Sequence, residues 1–442
     1  MAFSCVLRVS YSVSVFRGTF ANIGLVSRRI VITCLGSYGD VYPYIGLAQA
    51  LLARGHRPVV ATSAYYRPAI EDAGVEFATV GLDVDMRDQA KIARVMDPRK
   101  GSEVLMKEFV LPALGQTYEE LAHVAVGADV LVSHPLTFAT QILAEERGVP
   151  WVATILAPLS LFSDGDFPAL PVLPGLVRVV RAWPWFRHAL MGLIRRGIDQ
   201  WMEPVQTLRA AHGLPRGRTP LLDGQFSPYL NLGLFSRALA APQPDWPPRM
   251  QTTGFVFYNG RGTLGSELEA FLDAGPPPVV FTLGSSAVAA AGRFYQESAE
   301  AAASLGVRAV LLTGGFKENL PVRVPPGVLL VDKAPHQLLF PRASAVVHQA
   351  GAGTMGQALR SGHPMLVVPH GHDQPDNAYR LTTLGVARTL YPKRYRAARV
   401  AAELGRLLNE ASYQERAEAT ARVVRQEGGA DAAADAILQA IA

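Results

Sequence analysis

The amino-acid sequence predicts an α/β protein built from two doubly wound, parallel-sheet halves that face each other across a cleft. Three observations carry this reading. Strand-like and helix-like segments alternate from Arg29 onward, the alternation starts afresh at Pro278, and a stretch dense in proline and glycine separates the two series.

Residues 1–28 precede the first strand. They carry Arg8, Arg17 and Arg28 with no acidic residue, and polar residues break every apolar run, so they read as a disordered extension and not as a signal peptide. Residues 30–35 form a strand, Gly36-Ser37-Tyr38-Gly39-Asp40 a turn, and residues 41–54 a helix stopped by Gly55. Further strands are expected at 58–62, 77–80, 130–133 and 151–154, with helices between them. Residues 160–225 interrupt the rhythm with apolar, proline-broken helical material, which closes a first half over residues 29–241. Residues 242–277 hold Pro242, Pro244, Pro247, Pro248, Gly260, Gly262 and Gly265, a density that marks a linker. The second half, residues 278–420, places strands at 279–283, 309–312, 328–331, 345–347 and 365–368 and a helix at 294–305. From Arg399 the chain is alanine-rich and helical, and residues 421–442 form a last helix.

The hydrophobic fraction of 49% against 18% charged residues belongs to a globular chain and not a disordered one. No run approaches the roughly 18 apolar residues of a membrane-spanning helix. The formal charge of +5 suggests an anionic partner until its location is traced: Arg8, Arg17, Arg28 and Arg29 in the acid-free first 29 residues supply four of those charges. The remainder is nearly neutral, so nucleic-acid binding is not expected. Cys5 and Cys34 are too few for a disulfide framework or a zinc site, which points to a reducing cytoplasm.

The chemistry concentrates between His348 and Asn377. A short strand leads to Gly351-Ala352-Gly353-Thr354, a turn that opens a helix running to Ser361. Free backbone N–H groups and the positive end of the helix dipole form an anion site there, and glycine lets the anion approach the backbone. His348 and the Thr354 hydroxyl add side-chain donors. The next strand ends in a loop with His370, Asp373 and Gln374, where a carboxylate beside a carboxamide suits neighbouring sugar hydroxyls. Asp373 also reads as a simple helix N-cap, and so does Asp40, which ends the first βα turn at the C-terminal edge of its sheet. His134 follows strand 130–133 at the same kind of edge.

These residues resemble the nucleotide-sugar signature of family 1 glycosyltransferases, the group of UDP-glycosyltransferases, bacterial antibiotic glycosyltransferases and sterol glucosyltransferases. The resemblance implies the GT-B architecture, with the last helix packing back on the N-terminal half. It places the diphosphate on Ser285, His348, Gly351, Ala352, Gly353 and Thr354, and the sugar on His370, Asp373 and Gln374. It adds Ala334, His336 and Gln357 to the nucleotide side. The turn Gly36-Ser37-x-Gly39-Asp40-Val41-x-Pro43 is similar to that of sterol and glycopeptide glycosyltransferases, which makes Asp40 the base; plant relatives have a histidine there and an Asp near the position of His134. An Asp40–His134 pair is therefore the expected catalytic couple.

Two positions depart from the plant pattern. Lys333 replaces the aromatic residue that stacks on the base, and Gln357 stands for the ribose-binding glutamate, so a UDP-sugar and a dTDP-sugar are both open as cosubstrate. No cofactor and no metal are expected. Asp83-Val84-Asp85 mimics a metal-binding Asp-x-Asp motif but reads as a solvated turn. Tyr38, Phe162, Trp183 and Trp185 are the expected contacts to a hydrophobic, hydroxyl-bearing acceptor. Residues 170–201 interleave apolar residues with Arg178, Arg181, Arg187, Arg195 and Arg196, and line an acceptor pocket, touch a membrane surface from the cytoplasmic side, or form domain core with solvated arginines. Along the whole chain the pattern is also similar to the rhamnosyltransferases of rhamnolipid synthesis, which use a dTDP-sugar and a lipid acceptor. A nucleotide-sugar epimerase of the same layout and a non-catalytic binding protein are the alternatives.

Overall fold

The computed structural model describes residues 27–82, 88–170 and 176–442. The Asp83-Val84-Asp85 turn and residues 1–26 lie outside the described residues. The first sheet is formed by β1 (Arg29–Thr33), β2 (Arg57–Thr62), β3 (Glu76–Thr79), β4 (Val130–Ser133), β5 (Trp151–Ile155), β6 (Leu230–Gly233) and β7 (Met250–Thr252). The second is formed by β8 (Val279–Thr282), β9 (Ala309–Leu312), β10 (Val328–Val331), β11 (Ala345–His348), β12 (Met365–Val367) and β13 (Ala387–Thr389). Every pairing is parallel. Helices cover both faces, so the central strands are buried throughout, as the unbroken apolar runs Val-Leu-Val and Ala-Val-Val require.

Strand order places the chemistry. The first sheet runs β3-β2-β1-β4-β5-β6-β7 and the second β10-β9-β8-β11-β12-β13. In each the order reverses once, between β1 and β4 and between β8 and β11, and an open parallel sheet has its crevice at that point, beyond the C-terminal strand ends. Asp40 follows β1 and His134 follows β4. Ser285 follows β8 and His348 ends β11. The four residues thus sit at the two crevices.

The first helix begins at Tyr38 and not after Asp40. Ser37 caps it and Asp40 closes a capping box, which draws the expected turn into the helix. β7 and the helix Ser266–Asp273 lie within the proline- and glycine-rich residues 242–277. The tail divides into three helices, Ala397–Asn409, Ala411–Gln426 and Gly429–Ala440. The last crosses back to the first domain, where Ala433, Ala434, Ala436 and Ile437 share a core with Ile30, Tyr44 and Leu51. Arg54 holds it there by pairing with Asp431 at 2.9 Å and Asp435 at 2.7 Å.

The two domains also meet at their glycine turns. A Cβ added at Gly353 would lie 2.9 Å from Gly39 Cα, whereas one added at Gly39 would find nothing nearer than 3.6 Å. Gly353→Ala is therefore expected to force the turns apart at a cost of about 1–3 kcal/mol, while Gly39→Ala on the facing residue is tolerated. Thermal melts of the two variants check this asymmetry; equal losses would contradict it.

Candidate active site

The β1 turn gives Asp40 two separate tasks. Its Oδ2 accepts from the Ser37 amide at 2.7 Å and from the Ser37 hydroxyl at 3.0 Å, which completes the helix cap. Its Oδ1 faces Nε2 of His134 at 3.9 Å. The N-cap reading and the site reading of Asp40 therefore coexist. Gly36, at φ 130°, allows this, because a Cβ there would lie 2.4 Å from the carboxylate. Burial works against the charge, but His134 and the Ser37 donors outweigh it and hold the Asp40 carboxyl below its ordinary range.

His134 is 5% exposed at its side chain and Asp40 36%. The carboxylate is thus the member of the pair that reaches the cleft. Nδ1 of His134 accepts from the Leu136 amide at 3.1 Å, so its ring proton lies on Nε2, toward Asp40. Tyr44 packs edge-on against the ring and fixes its plane.

Across the interface, β11 delivers His348 to a fully buried position. Its Nδ1 accepts from the Ala350 amide at 3.1 Å, and Nε2 is buried with no partner among the described residues. Burial, with His336 nearby, pulls His348 down to about 3, so the ring is a neutral Nε2–H donor at physiological pH. An orphaned buried donor costs about 1–3 kcal/mol until something accepts from it. Beside it the helix Ala352–Ser361 starts at Gly351 with no side-chain cap, which leaves its first amides open to an anion. Gly284 must be glycine, since a Cβ would meet Gln349 Nε2 at 2.2 Å and Thr354 Oγ1 at 3.0 Å; Ser285 follows this tight seam in the chain.

The loop after β12 is held open by its own side chains. Gln374 Oε1 accepts from the His370 amide at 2.8 Å and the Gly371 amide at 3.4 Å. Asp373 makes no capping hydrogen bond, so the N-cap reading does not hold for it; its Oδ2 accepts from Asn377 Nδ2 at 2.7 Å. Asn377 also donates to the Ala350 carbonyl at 2.9 Å and so ties the sugar loop to the phosphate turn. Ala350 and His372 hold left-handed φ values of 68° and 55°, a strain that these bonds sustain. Burial pulls His370 and His336 each down to about 4. His336 stacks on Phe340 with centroids 4.4 Å apart, and Ala334 and Gln357 lie partly buried on the same domain.

Sequence reasoning missed two parts. One is a small, mostly apolar cavity of about 30 Å³ in the first domain, walled by Leu35, Val80, Leu82, Val110, Leu114 and Leu136. The other is a buried ionic chain that bolts the helix Gln374–Leu384 to the first domain. Arg380 pairs with Asp376 at 2.7 Å and with Asp166, Asp166 pairs with Arg181 at 2.6 Å, and Asp376 accepts from the Ala169 amide at 2.8 Å. Tyr38 stands in a cluster of rings with Tyr42, Tyr65 and Tyr66. Phe162 is partly buried at the end of a 3-10 turn. Trp183 and Trp185 face solvent, 54% and 66% exposed.

Burial, and then the charge of Asp40, push Asp373 up to about 7. Its folded value lies above the unfolded one, so the folded chain binds the extra proton and this group's contribution to stability is lost as pH rises from about 4 through 7. In the absence of ligand, Asp373→Asn is expected to melt higher than wild type at pH 8, with the gap closing toward pH 4. Melts of both proteins across that range check it, and a gap that widens on acidification would contradict it.

The chain resembles known proteins over most of its length. Residues 30–159 match the glycosyltransferase family 28 N-terminal domain, and residues 300–440 the erythromycin biosynthesis protein CIII-like C-terminal domain. The chain is 33% identical over 373 residues to O-mycaminosyltylonolide 6-deoxyallosyltransferase of Streptomyces fradiae, covering 82% of this chain and 86% of that one. It is 27% identical to a sterol 3-beta-glucosyltransferase of Arabidopsis thaliana over 92% of this chain and 67% of the other. The solved structure of the spinosyn rhamnosyltransferase SpnG complexed with thymidine diphosphate superposes with a TM-score of 0.67 at 18% identity, covering 93% of this chain and 100% of that one. The chain belongs to the GT-B glycosyltransferases that join a family 28 N-terminal domain to an erythromycin CIII-like C-terminal domain.

Proposed function

We propose that this glycosyltransferase moves a sugar from a dTDP- or UDP-sugar to a hydroxyl of a hydrophobic natural product, with inversion at the anomeric carbon and without a metal. One observation supports this above the others: an ionised carboxylate backed by a histidine lies at one sheet crevice, and an orphaned buried N–H beside open helix amides lies at the crevice that meets it.

In the proposed step Asp40 takes the proton of the acceptor hydroxyl as its oxygen forms a bond to the anomeric carbon. The bond from that carbon to the diphosphate oxygen breaks, and its electron pair leaves with the diphosphate. His134 orients Asp40 through its Nε2–H. His348 Nε2–H and the amides of residues 352–354 meet the charge that grows on the leaving group, from positions fixed before reaction. Asp373 and Gln374 take the sugar hydroxyls; Gln374 Oε1 is committed to the loop, so its Nε2–H₂ is the group left to donate.

The named relatives favour a natural-product or sterol-like acceptor, and the thymidine diphosphate of SpnG favours a dTDP-sugar. An epimerase would form its product from the nucleotide sugar alone.

Asp40→Asn is expected to lower the transfer rate by about 10²–10⁴-fold while nucleoside diphosphate binding stays within a few-fold. His348→Ala is expected to do the reverse first, weakening diphosphate binding by about tenfold or more. Calorimetry with dTDP and UDP beside steady-state kinetics checks both. An active Asp40→Asn enzyme, or unchanged diphosphate affinity in His348→Ala, would overturn the assignment.

A further inference from the structure

The helix Pro184–Trp201 buries none of its residues completely. One side is tied to the protein. Arg187 pairs with Asp164 at 3.2 Å and Arg195 with Asp223 at 2.8 Å, Asp199 accepts from the Thr219 hydroxyl at 2.7 Å, and Ile198 and Trp201 pack on the core that also holds Val110 and Leu114 of the apolar pocket. The other side carries Trp185, Ala189, Gly192, Leu193, Arg196 and Gln200, all exposed and spaced along one helical stripe.

That stripe contains no carboxylate. Trp185 is 66% and Leu193 65% exposed, and Trp183 at 54% and Val179 at 47% extend the surface onto the preceding helix Val177–Ala182. The two tryptophan rings lie 5.9 Å apart. Two adjoining indoles and a leucine left in water are more than scattered surface residues, and such a patch marks an interaction site.

We propose that this face docks on an anionic lipid surface. The charge pattern supports that occupant. Arg196 is exposed and pairs with no carboxylate among the described residues, while the acids around the helix are engaged: Asp164 by Arg187 and by His188 at 3.3 Å, Asp223 by Arg195, and Asp199 by the Thr219 hydroxyl. Exposed indoles sit at the boundary between headgroups and acyl chains, and the small Ala189 and Gly192 let the helix lie flat on it. Docking here would put the face of the first domain that carries the helices Val177–Ala182 and Pro184–Trp201 against the bilayer.

The test is co-sedimentation of the full chain with vesicles of phosphatidylcholine alone and with an equal part of phosphatidylglycerol, with tryptophan emission read in parallel. The wild type is expected to sediment with the anionic vesicles, to shift its emission to the blue, and to be released by high salt. The combined Trp183→Ser, Trp185→Ser and Leu193→Ser variant is expected to lose about tenfold or more of its bound fraction while its melting temperature is kept. Arg196→Glu is expected to weaken binding to the anionic vesicles specifically. A wild type that stays in the supernatant, or a serine variant that binds equally well, would overturn the proposal. So would light scattering that shows a wild-type dimer which the serine variant abolishes, since a second copy would then be the occupant.

Discussion

The approach of Gly353 to Gly39 is the constraint on which the site depends. A carboxylate after β1 and an anion-binding turn after β11 are unremarkable by themselves; many βα turns carry an aspartate cap or a glycine run. They become one site only if the two turns meet, and here they meet with no room for a methyl group at Gly353. The returning C-terminal helix and the Arg380 ionic chain hold the contact from two further places. A buried chain of that kind is weak as a source of stability but strict in geometry, because each charge is costly unless its partner stays in place.

The polar groups on the two sides carry opposite electrostatic states. On the first domain Asp40 is held ionised by His134 and Ser37. On the second, burial keeps His348, His336 and His370 neutral and raises Asp373. A neutral donor set with an unpartnered N–H is unsettled without a ligand, and an accepting diphosphate relieves that cost. The strained Ala350 and the doubly donating Asn377 belong to the same arrangement, since they aim the phosphate turn and the sugar loop from a shared anchor.

Much of the fold was legible because its central strands are unbroken apolar runs. β4 is bounded by Asp129 and His134 and matches its expected span. The strands that escaped notice are short or polar: β6 buries Asn231, whose amide is satisfied by Ser227 and Pro248, β7 has three residues among prolines, and β13 carries Arg388. The donor motif was legible because its residues are close in sequence. The apolar pocket was not, because its walls come from separate segments after β1, β3 and β4 and from the helices between β3 and β4. The capping box hid the start of the first helix, since Ser37-x-x-Asp40 reads equally as a turn. Trp183 and Trp185 show the limit of pattern reading, which detects an amphipathic segment but not which side of it faces the protein.

The central claim is that Asp40 acts across the Gly39–Gly353 contact in a single displacement. The anomeric configuration of the product tests it most directly. With an α-linked nucleotide sugar and a hydroxyl acceptor, proton NMR of the purified glycoside should show the β anomer alone. An α-linked product would require a second nucleophile or a front-face path and would contradict the account.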